Sequence, residues 1–98
     1  MIDMRTKAAL ASKTDALKGM GATGLYAFGS RNRGQHSSDS DLDLFIDHAV
    51  GKAPSFFRLT EVELNLQSEL GFPVHITTRR ALRPEVRKNV EAEASKIF

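Results

Sequence analysis

The sequence predicts an α/β (α+β) domain, a small β-sheet with helices packed on it, and three observations lead to this class. Apolar residues recur at helical spacing in three segments of the chain. Three shorter segments between them are continuously apolar or alternate in polarity, as strands do. The resulting order is α-β-(loop)-β-α-β-α, which predicts a sheet of three or slightly more strands flanked by helices. The order alone leaves the strand directions open.

The first two elements are a helix and a buried strand. Residues 3–20 are good helix formers with Leu10 and Leu17 one heptad apart, and glycines follow where the helix should end. Residues 24–29 are too short and too apolar for a surface helix, and they suit a buried strand. We therefore expect one helix of about five turns followed by a strand inside the sheet.

A polar loop and a second strand come next. Residues 30–40 are polar and small, which predicts a loop with one helical turn near residues 31–34. Nothing in this loop can build a core, so we expect its residues to be free for function. Residues 41–47 alternate in polarity, which predicts a strand with one apolar face and one face lined with carboxylates.

The second half of the chain continues with a helix, a strand and a helix. Residues 56–70 carry apolar side chains at helical spacing and stop at Gly71. Residues 72–78 form a short apolar and β-branched segment, which predicts a third strand. Pro84 suits the first turn of a last helix, whose apolar spacing extends to Ile97.

Length, charge and cysteine content limit the classes of function. The 98 residues are enough for one small domain, so we expect residues 1–98 to form a single unit. There are no cysteines and no segment approaches the roughly 20 apolar residues that span a bilayer, which predicts a cytoplasmic protein without a membrane partner. A net charge of +2 argues against binding to nucleic acid. A local basic group near the C-terminus is usually a solvated face, and an acidic partner or RNA stays open as the alternative; its members are Arg79, Arg80, Arg83, Arg87 and Lys88.

The central segment carries the residues suited to chemistry. Asp41 and Asp43 are two residues apart on a strand, so their side chains leave the same face with Cα atoms roughly 6.5–7 Å apart. Two carboxylates this close repel one another, and an oxygen-preferring cation such as Mg²⁺ relieves the repulsion. Gly29 and Ser30 end the preceding strand, where backbone N–H groups and a hydroxyl can hold a phosphate.

Arg31 and Arg33 in the following loop are available for phosphate contacts, with ordinary solvated charges as the alternative. Gly-Ser, ten residues, and then Asp-x-Asp on a strand resembles the signature of minimal nucleotidyltransferases in the DNA polymerase beta superfamily. The resemblance implies a small mixed sheet flanked by helices, phosphates of a nucleoside triphosphate such as ATP at Gly29 and Ser30, and Mg²⁺ or Mn²⁺ at Asp41 and Asp43. It also implies transfer of a nucleotide, which is AMP in some members of this family, to a hydroxyl acceptor, and a HEPN-domain toxin as a partner.

One position departs from that family. A third carboxylate usually stands on the next long strand, and here the corresponding stretch is Val74-His75-Ile76. His75 can accept a proton but is a poorer ligand for Mg²⁺. Two hypotheses follow: an enzyme with His75 in its catalytic set, or an impaired nucleotidyltransferase that acts as an antitoxin by forming a complex. A structural role for His75 and formation of homo-oligomers also stay open.

Overall fold

The computed structural model describes residues 2–98, and these residues form five α-helices, four β-strands and one 3-10 turn. None of the helices is both long enough and apolar enough to pass through a membrane. The elements are α1 Met4–Ala11, α2 Thr14–Gly19, β1 Ala22–Phe28, α3 Gly29–Arg33, β2 Leu42–His48, α4 Phe56–Leu70, β3 Val74–Thr78, the 3-10 turn Arg79–Ala81, α5 Pro84–Glu93 and β4 Ser95–Lys96.

The four strands form one mixed sheet in the order β3-β2-β1-β4. β1 runs antiparallel to both of its neighbours, β2 and β4, whereas β2 and β3 are parallel. The parallel pair requires a crossover, which α4 provides by returning the chain from the end of β2 to the start of β3. The predicted class, a mixed sheet flanked by helices, is confirmed.

One face of the sheet carries the apolar core. Alternate residues of the three long strands point to this face and meet apolar residues of α1, α2 and α4. α4 supplies four of them at helical spacing and ends at Gly71, whose φ of 84° favours glycine. The most completely buried side chains are Leu10, Leu17, Leu25, Leu42, Leu44, Phe45, Ile46, Leu66 and Val74.

The opposite face differs from the carboxylate-lined surface that the alternation predicted. Phe45 lies on this face and is fully buried. Its ring stacks on Tyr26 at 4.9 Å between centroids, and the Arg79 guanidinium carbon lies 4.8 Å from its centroid. Asp47 is half-buried and pairs with Arg79 at 2.7 Å. The Phe45 ring separates Asp47 from Asp43, so the two half-buried carboxylates of this strand lie in different surroundings.

The predicted first helix is interrupted and forms two shorter helices, so the prediction of one continuous helix is wrong. α1 ends at Ala11 and α2 begins at Thr14. The Ser12 hydroxyl donates to the Ala9 carbonyl at 2.6 Å, a local bond by which serine competes with regular helix geometry. Leu10 and Leu17 are nevertheless both fully buried, as their heptad spacing required.

The predicted last helix is also shorter than its apolar spacing indicated. α5 ends at Glu93, Ala94 is extended, and Ser95–Lys96 pair with β1 as the edge strand β4. The pairing continues beyond β4, since the Ile97 N–H donates to the Leu25 carbonyl at 2.8 Å. A free edge of β1 would leave backbone groups unpaired, and this pairing outweighs the helical periodicity.

Candidate functional site

The candidate site lies where three neighbouring strands meet. In the sheet register Asp43 of β2 lies opposite Phe28, the last residue of β1. On its other side Asp43 lies opposite His75, the second residue of β3. The Gly-Ser segment that follows β1 and the Asp-x-Asp segment of β2 are therefore adjacent in space, although ten residues separate them in the chain.

Gly29 makes the close approach between these two segments possible. Its φ is 81°, a backbone conformation that favours glycine. A Cβ atom at this position would also overlap the Asp43 carboxylate oxygen Oδ2. Any larger residue at position 29 would thus be strained and would push the carboxylate away. Glycine is required here both by the backbone conformation and by the contact with Asp43.

Asp41 and Asp43 differ in their surroundings. Asp41 is exposed just before β2, whereas Asp43 is partly buried within it. Burial raises the pKa of Asp43, and the neighbouring charge of Asp41 raises it further, while His75 and Arg33 act in the opposite direction. The ionised form of Asp43 is accordingly held at an energetic cost, which a bound cation would reduce.

His75 lies beside the aspartate pair. Its Nε2 atom is 3.2 Å from Asp41 Oδ2, and the two side chains are 60% and 50% exposed. The imidazole can therefore be reached from solvent while it contacts a carboxylate. Because side chains alternate along a strand, His75 lies on the sheet face opposite Val74 and Ile76, and those two residues are buried in the core.

The donor set suits an oxygen-preferring cation that is shared with a phosphate-bearing ligand. Within residues 2–98, no group of three or more His, Cys, Asp or Glu side chains is arranged to hold a metal ion by itself. Mg²⁺ is commonly bound through one or two carboxylates, with water and substrate phosphates as its other ligands. Asp41 and Asp43 fit that mode, and His75 adds a nitrogen that Mg²⁺ does not favour.

Arg33 and Gly29 both donate hydrogen bonds to the carboxylate of Glu93, a residue that the sequence analysis did not identify. The Nη1 atom of Arg33 lies 3.0 Å and 3.2 Å from the two carboxylate oxygens of Glu93. The Gly29 N–H donates to the Oε1 atom of Glu93 at 3.3 Å. Glu93 is 60 residues from Arg33 and 64 from Gly29 in the chain, and the sheet brings it here by pairing β4 with β1. No local sequence signal marks it.

Arg31 is neither an ordinary solvated charge nor open to solvent. The residue is 6% exposed, and its guanidinium carbon lies 3.4 Å from the centroid of the Phe72 ring. Its Nε–H donates to the Ser40 carbonyl at 2.6 Å, and its Nη2 atom donates to the Ser38 carbonyl at 2.8 Å. Arg31 thus fixes the loop that leads into Asp41. The expectation that this loop contributes nothing to the interior is wrong, because Asn32 is buried too.

The basic group near the C-terminus is partly used inside the molecule. Arg79 pairs with Asp47 at 2.7 Å and with Glu91 at 2.6 Å. Arg87 donates to the backbone carbonyls of Arg80 and Leu82. Arg80 is exposed. The engagement of Arg79 weakens the hypothesis that this group serves as an RNA-binding face.

Comparisons with known proteins agree on one protein family. Residues 10–97 match the nucleotidyltransferase domain family. The protein adenylyltransferase MntA of Thermococcus cleftensis is 30% identical over 83 residues, which cover 85% of this chain and 82% of the relative.

Two solved structures share the fold. A candidate minimal nucleotidyltransferase is 33% identical, with a TM-score of 0.70 and coverage of 93% of this chain and 87% of the other. A chain from the complex of a tri-AMPylated Shewanella oneidensis HEPN toxin with an MNT antitoxin gives a TM-score of 0.66 at 15% identity, over 95% of this chain and 71% of the other. The second similarity concerns the fold alone.

Proposed function

Since the chain belongs to the nucleotidyltransferase domain family, we propose that it transfers AMP from ATP to a hydroxyl group of a partner protein, with Mg²⁺ or Mn²⁺ held by Asp41 and Asp43. The hydroxyl oxygen forms a bond to the α-phosphorus, the bond to the β-phosphate oxygen breaks, and pyrophosphate leaves. The proposal follows a relative that is named a protein adenylyltransferase. The partner we propose is a HEPN-domain protein, in line with the HEPN–MNT complex that shares the fold.

One observation carries this proposal: the contact of Gly29 with Asp43. It joins a glycine of positive φ to a partly buried carboxylate, and the second carboxylate and Arg33 stand beside them. A phosphate group lying against Gly29 would therefore be within reach of a cation at Asp43. The Gly-Ser and Asp-x-Asp segments together suit one site for a metal-bound triphosphate.

The residues of the chain have separate tasks in the proposed reaction. Gly29 and Ser30 hold the phosphates through the backbone N–H groups and the hydroxyl, and Arg33 adds charge-assisted hydrogen bonds. Arg31 acts on the site indirectly, through its hydrogen bonds to the loop before Asp41. Mg²⁺ or Mn²⁺, when bound, neutralises phosphate charge and aligns the α-phosphate for in-line attack.

His75 is the side chain that we assign to the proton of the acceptor hydroxyl. Its exposed imidazole lies next to Asp41 at the solvent side of the site, where an acceptor has to arrive. Its Nε2 atom faces Asp41, which can hold the ring in a fixed orientation. In this assignment His75 does the work of the third carboxylate that the resembled family usually carries on this strand.

A second candidate function is favoured by the same histidine. The contact between His75 and Asp41 engages a carboxylate oxygen that a metal would need, and histidine supplies no oxygen in return. In this case the domain keeps the fold but not turnover, and it neutralises its partner by forming a complex.

Transfer of label tests the first function. Purified wild type and Asp43→Asn are incubated with α-labelled ATP, Mg²⁺ or Mn²⁺, and a candidate HEPN partner. We expect label on the partner with wild type and a loss of at least about 100-fold with Asp43→Asn, because a metal ligand is removed. Asp15→Asn, an exposed position on α2, is the matched control and should label normally. Unlabelled partner in a confirmed complex would favour the second function.

The substitution His75→Asp separates the two functions. If His75 impairs the site, an aspartate there completes the carboxylate set and creates or raises AMP transfer. If His75 is the working base, the substitution leaves transfer similar or lowers it. His48→Asp, at the opposite end of β2 from Asp43, serves as the control for added negative charge.

A further inference from the structure

The Glu93 carboxylate accepts hydrogen bonds from groups that, in the proposed function, bind the triphosphate. The Gly29 N–H and the Arg33 guanidinium both donate to it, at 3.3 Å and 3.0 Å. A carboxylate held by a backbone N–H and an arginine has the same partners that a phosphate oxygen would take. The side chain is about one-third exposed, so solvent and solutes can reach this contact.

The backbone holds Glu93 at this place. The Asn32 side-chain amide donates to the Glu93 carbonyl at 2.9 Å, which ties the end of α5 to α3. Two residues later β4 pairs with β1, with Ser95 opposite Ala27. The main chain of residue 93 is thus fixed from both sides, while its side chain is partly exposed to solvent.

We propose that Glu93 sets the nucleotide affinity of this site by competing with the triphosphate for Gly29 and Arg33. Two anions cannot share one N–H group and one guanidinium without repulsion, so a phosphate group enters only as the carboxylate turns away. The inference rests on the proposed function, because it takes Gly29 and Arg33 as phosphate ligands. It adds a residue, distant in sequence, that tunes binding at the same site.

Nucleotide binding by wild type and Glu93→Gln tests the competition. Glutamine keeps the size of the side chain and one accepting oxygen but removes the charge. The probe is a fluorescent ATP analogue with Mg²⁺, titrated by anisotropy without any acceptor protein. We expect the dissociation constant to fall by about three- to tenfold in Glu93→Gln, since a partly exposed ion pair no longer has to be broken. Glu85→Gln, at an exposed position of the same helix, should leave it unchanged.

Thermal unfolding supplies a second readout that a merely structural role would not reproduce. Without nucleotide, Glu93→Gln should unfold at a lower temperature than wild type, because the contact with Arg33 is weakened. The stabilisation produced by added Mg·ATP should be larger in the variant than in wild type. Loss of stability together with equal or weaker nucleotide binding would overturn the inference and make Glu93 a residue that only orients Arg33.

The outcomes also distinguish this inference from the proposed function. If both proteins bind the analogue equally and Arg33→Gln weakens binding, the competition is wrong and the proposed site stands. If neither wild type nor Glu93→Gln binds, and Arg33→Gln changes nothing, the proposed function fails and this inference fails with it.

Discussion

At the scale of single residues, Asp43 links stability to the chemistry of the site. Burial and the charge of Asp41 raise its pKa above the ordinary value of 3.8. The folded state therefore binds this proton more tightly than the unfolded state does. The free energy of unfolding consequently falls as pH rises from about the ordinary pKa through the raised one, and it stays lower at neutral pH.

The substitution Asp43→Asn removes this cost. At pH 7 without divalent cations we expect the free energy of unfolding to increase by roughly 0.5–1 kcal/mol, after allowance for solvent screening of a partly exposed group. At pH 3, where the carboxyl is protonated, the variant and wild type should differ little. Urea denaturation at both pH values measures the difference. Asp15→Asn, exposed on α2, should leave the pH dependence as it is.

Residues of the site were predictable from sequence to different degrees. The position of Gly29 follows from its place at a strand end, and the direction of the Asp41 and Asp43 side chains follows from alternation along the next strand. The structure brings these residues together as the sequence analysis expected, and their roles stay predictions. Glu93 and the burial of Arg31 depend on contacts made by distant segments, and neither leaves a local pattern.

At the scale of elements, α4 connects the parallel strands and covers the core. It presents Leu59, Val62, Leu66 and Leu70 to the sheet, while Leu64 on its other side is 57% exposed. The Glu63 carboxylate accepts a hydrogen bond from the Ile76 N–H at 2.7 Å, so the helix also pairs a backbone donor on the free edge of β3. This edge would otherwise be open to pairing with another strand.

Truncation of a buried leucine in α4 should be costly. Leu66 is fully buried, and Leu66→Ala is expected to lower the free energy of unfolding by about 2–4 kcal/mol, through lost burial and a residual cavity. The matched variant Leu64→Ala removes the same atoms from the exposed side and should change it by less than about 1 kcal/mol. Chemical denaturation of both variants checks this, and equal costs would contradict the packing described for the helix.

The elements that were predicted correctly are those whose pattern and packing agree. β2, α4 and β3 each have one apolar face that meets the core, so the spacing of their apolar residues is enough to predict them. The first helix and the last one were predicted too long. At Ser12 a side-chain hydroxyl competes with the helix, and beyond Glu93 the open edge of β1 recruits the chain as a strand. Both effects depend on bonds that hydrophobic spacing does not describe.

At the scale of the whole molecule, Arg79 joins parts that are distant in sequence. It follows β3, pairs with Asp47 of β2 and Glu91 of α5, and lies over the rings of Tyr26 and Phe45. α5 has no buried residue of its own. The helix that carries Glu93 is therefore held on the sheet largely through polar contacts.

Arg79→Lys should weaken this connection. A lysine has a single cationic group and cannot keep the contacts to both carboxylates, so we expect the free energy of unfolding to fall by about 1–2 kcal/mol. Arg80→Lys, at the exposed neighbouring position, should stay within about 0.5 kcal/mol. Thermal and urea unfolding provide the comparison, and an equal effect of both substitutions would contradict the bridging role.

The hydrogen bonds of Arg31 to the loop have a practical consequence. They end on main-chain carbonyls of Ser37, Ser38 and Ser40, which every amino acid possesses. The exposed side chain of His36 can thus be exchanged while the anchoring bonds persist. The natural chain contains no cysteine, so His36→Cys would create one unique thiol. A dye attached there would report, by its change in emission, the arrival of a large acceptor next to Asp41.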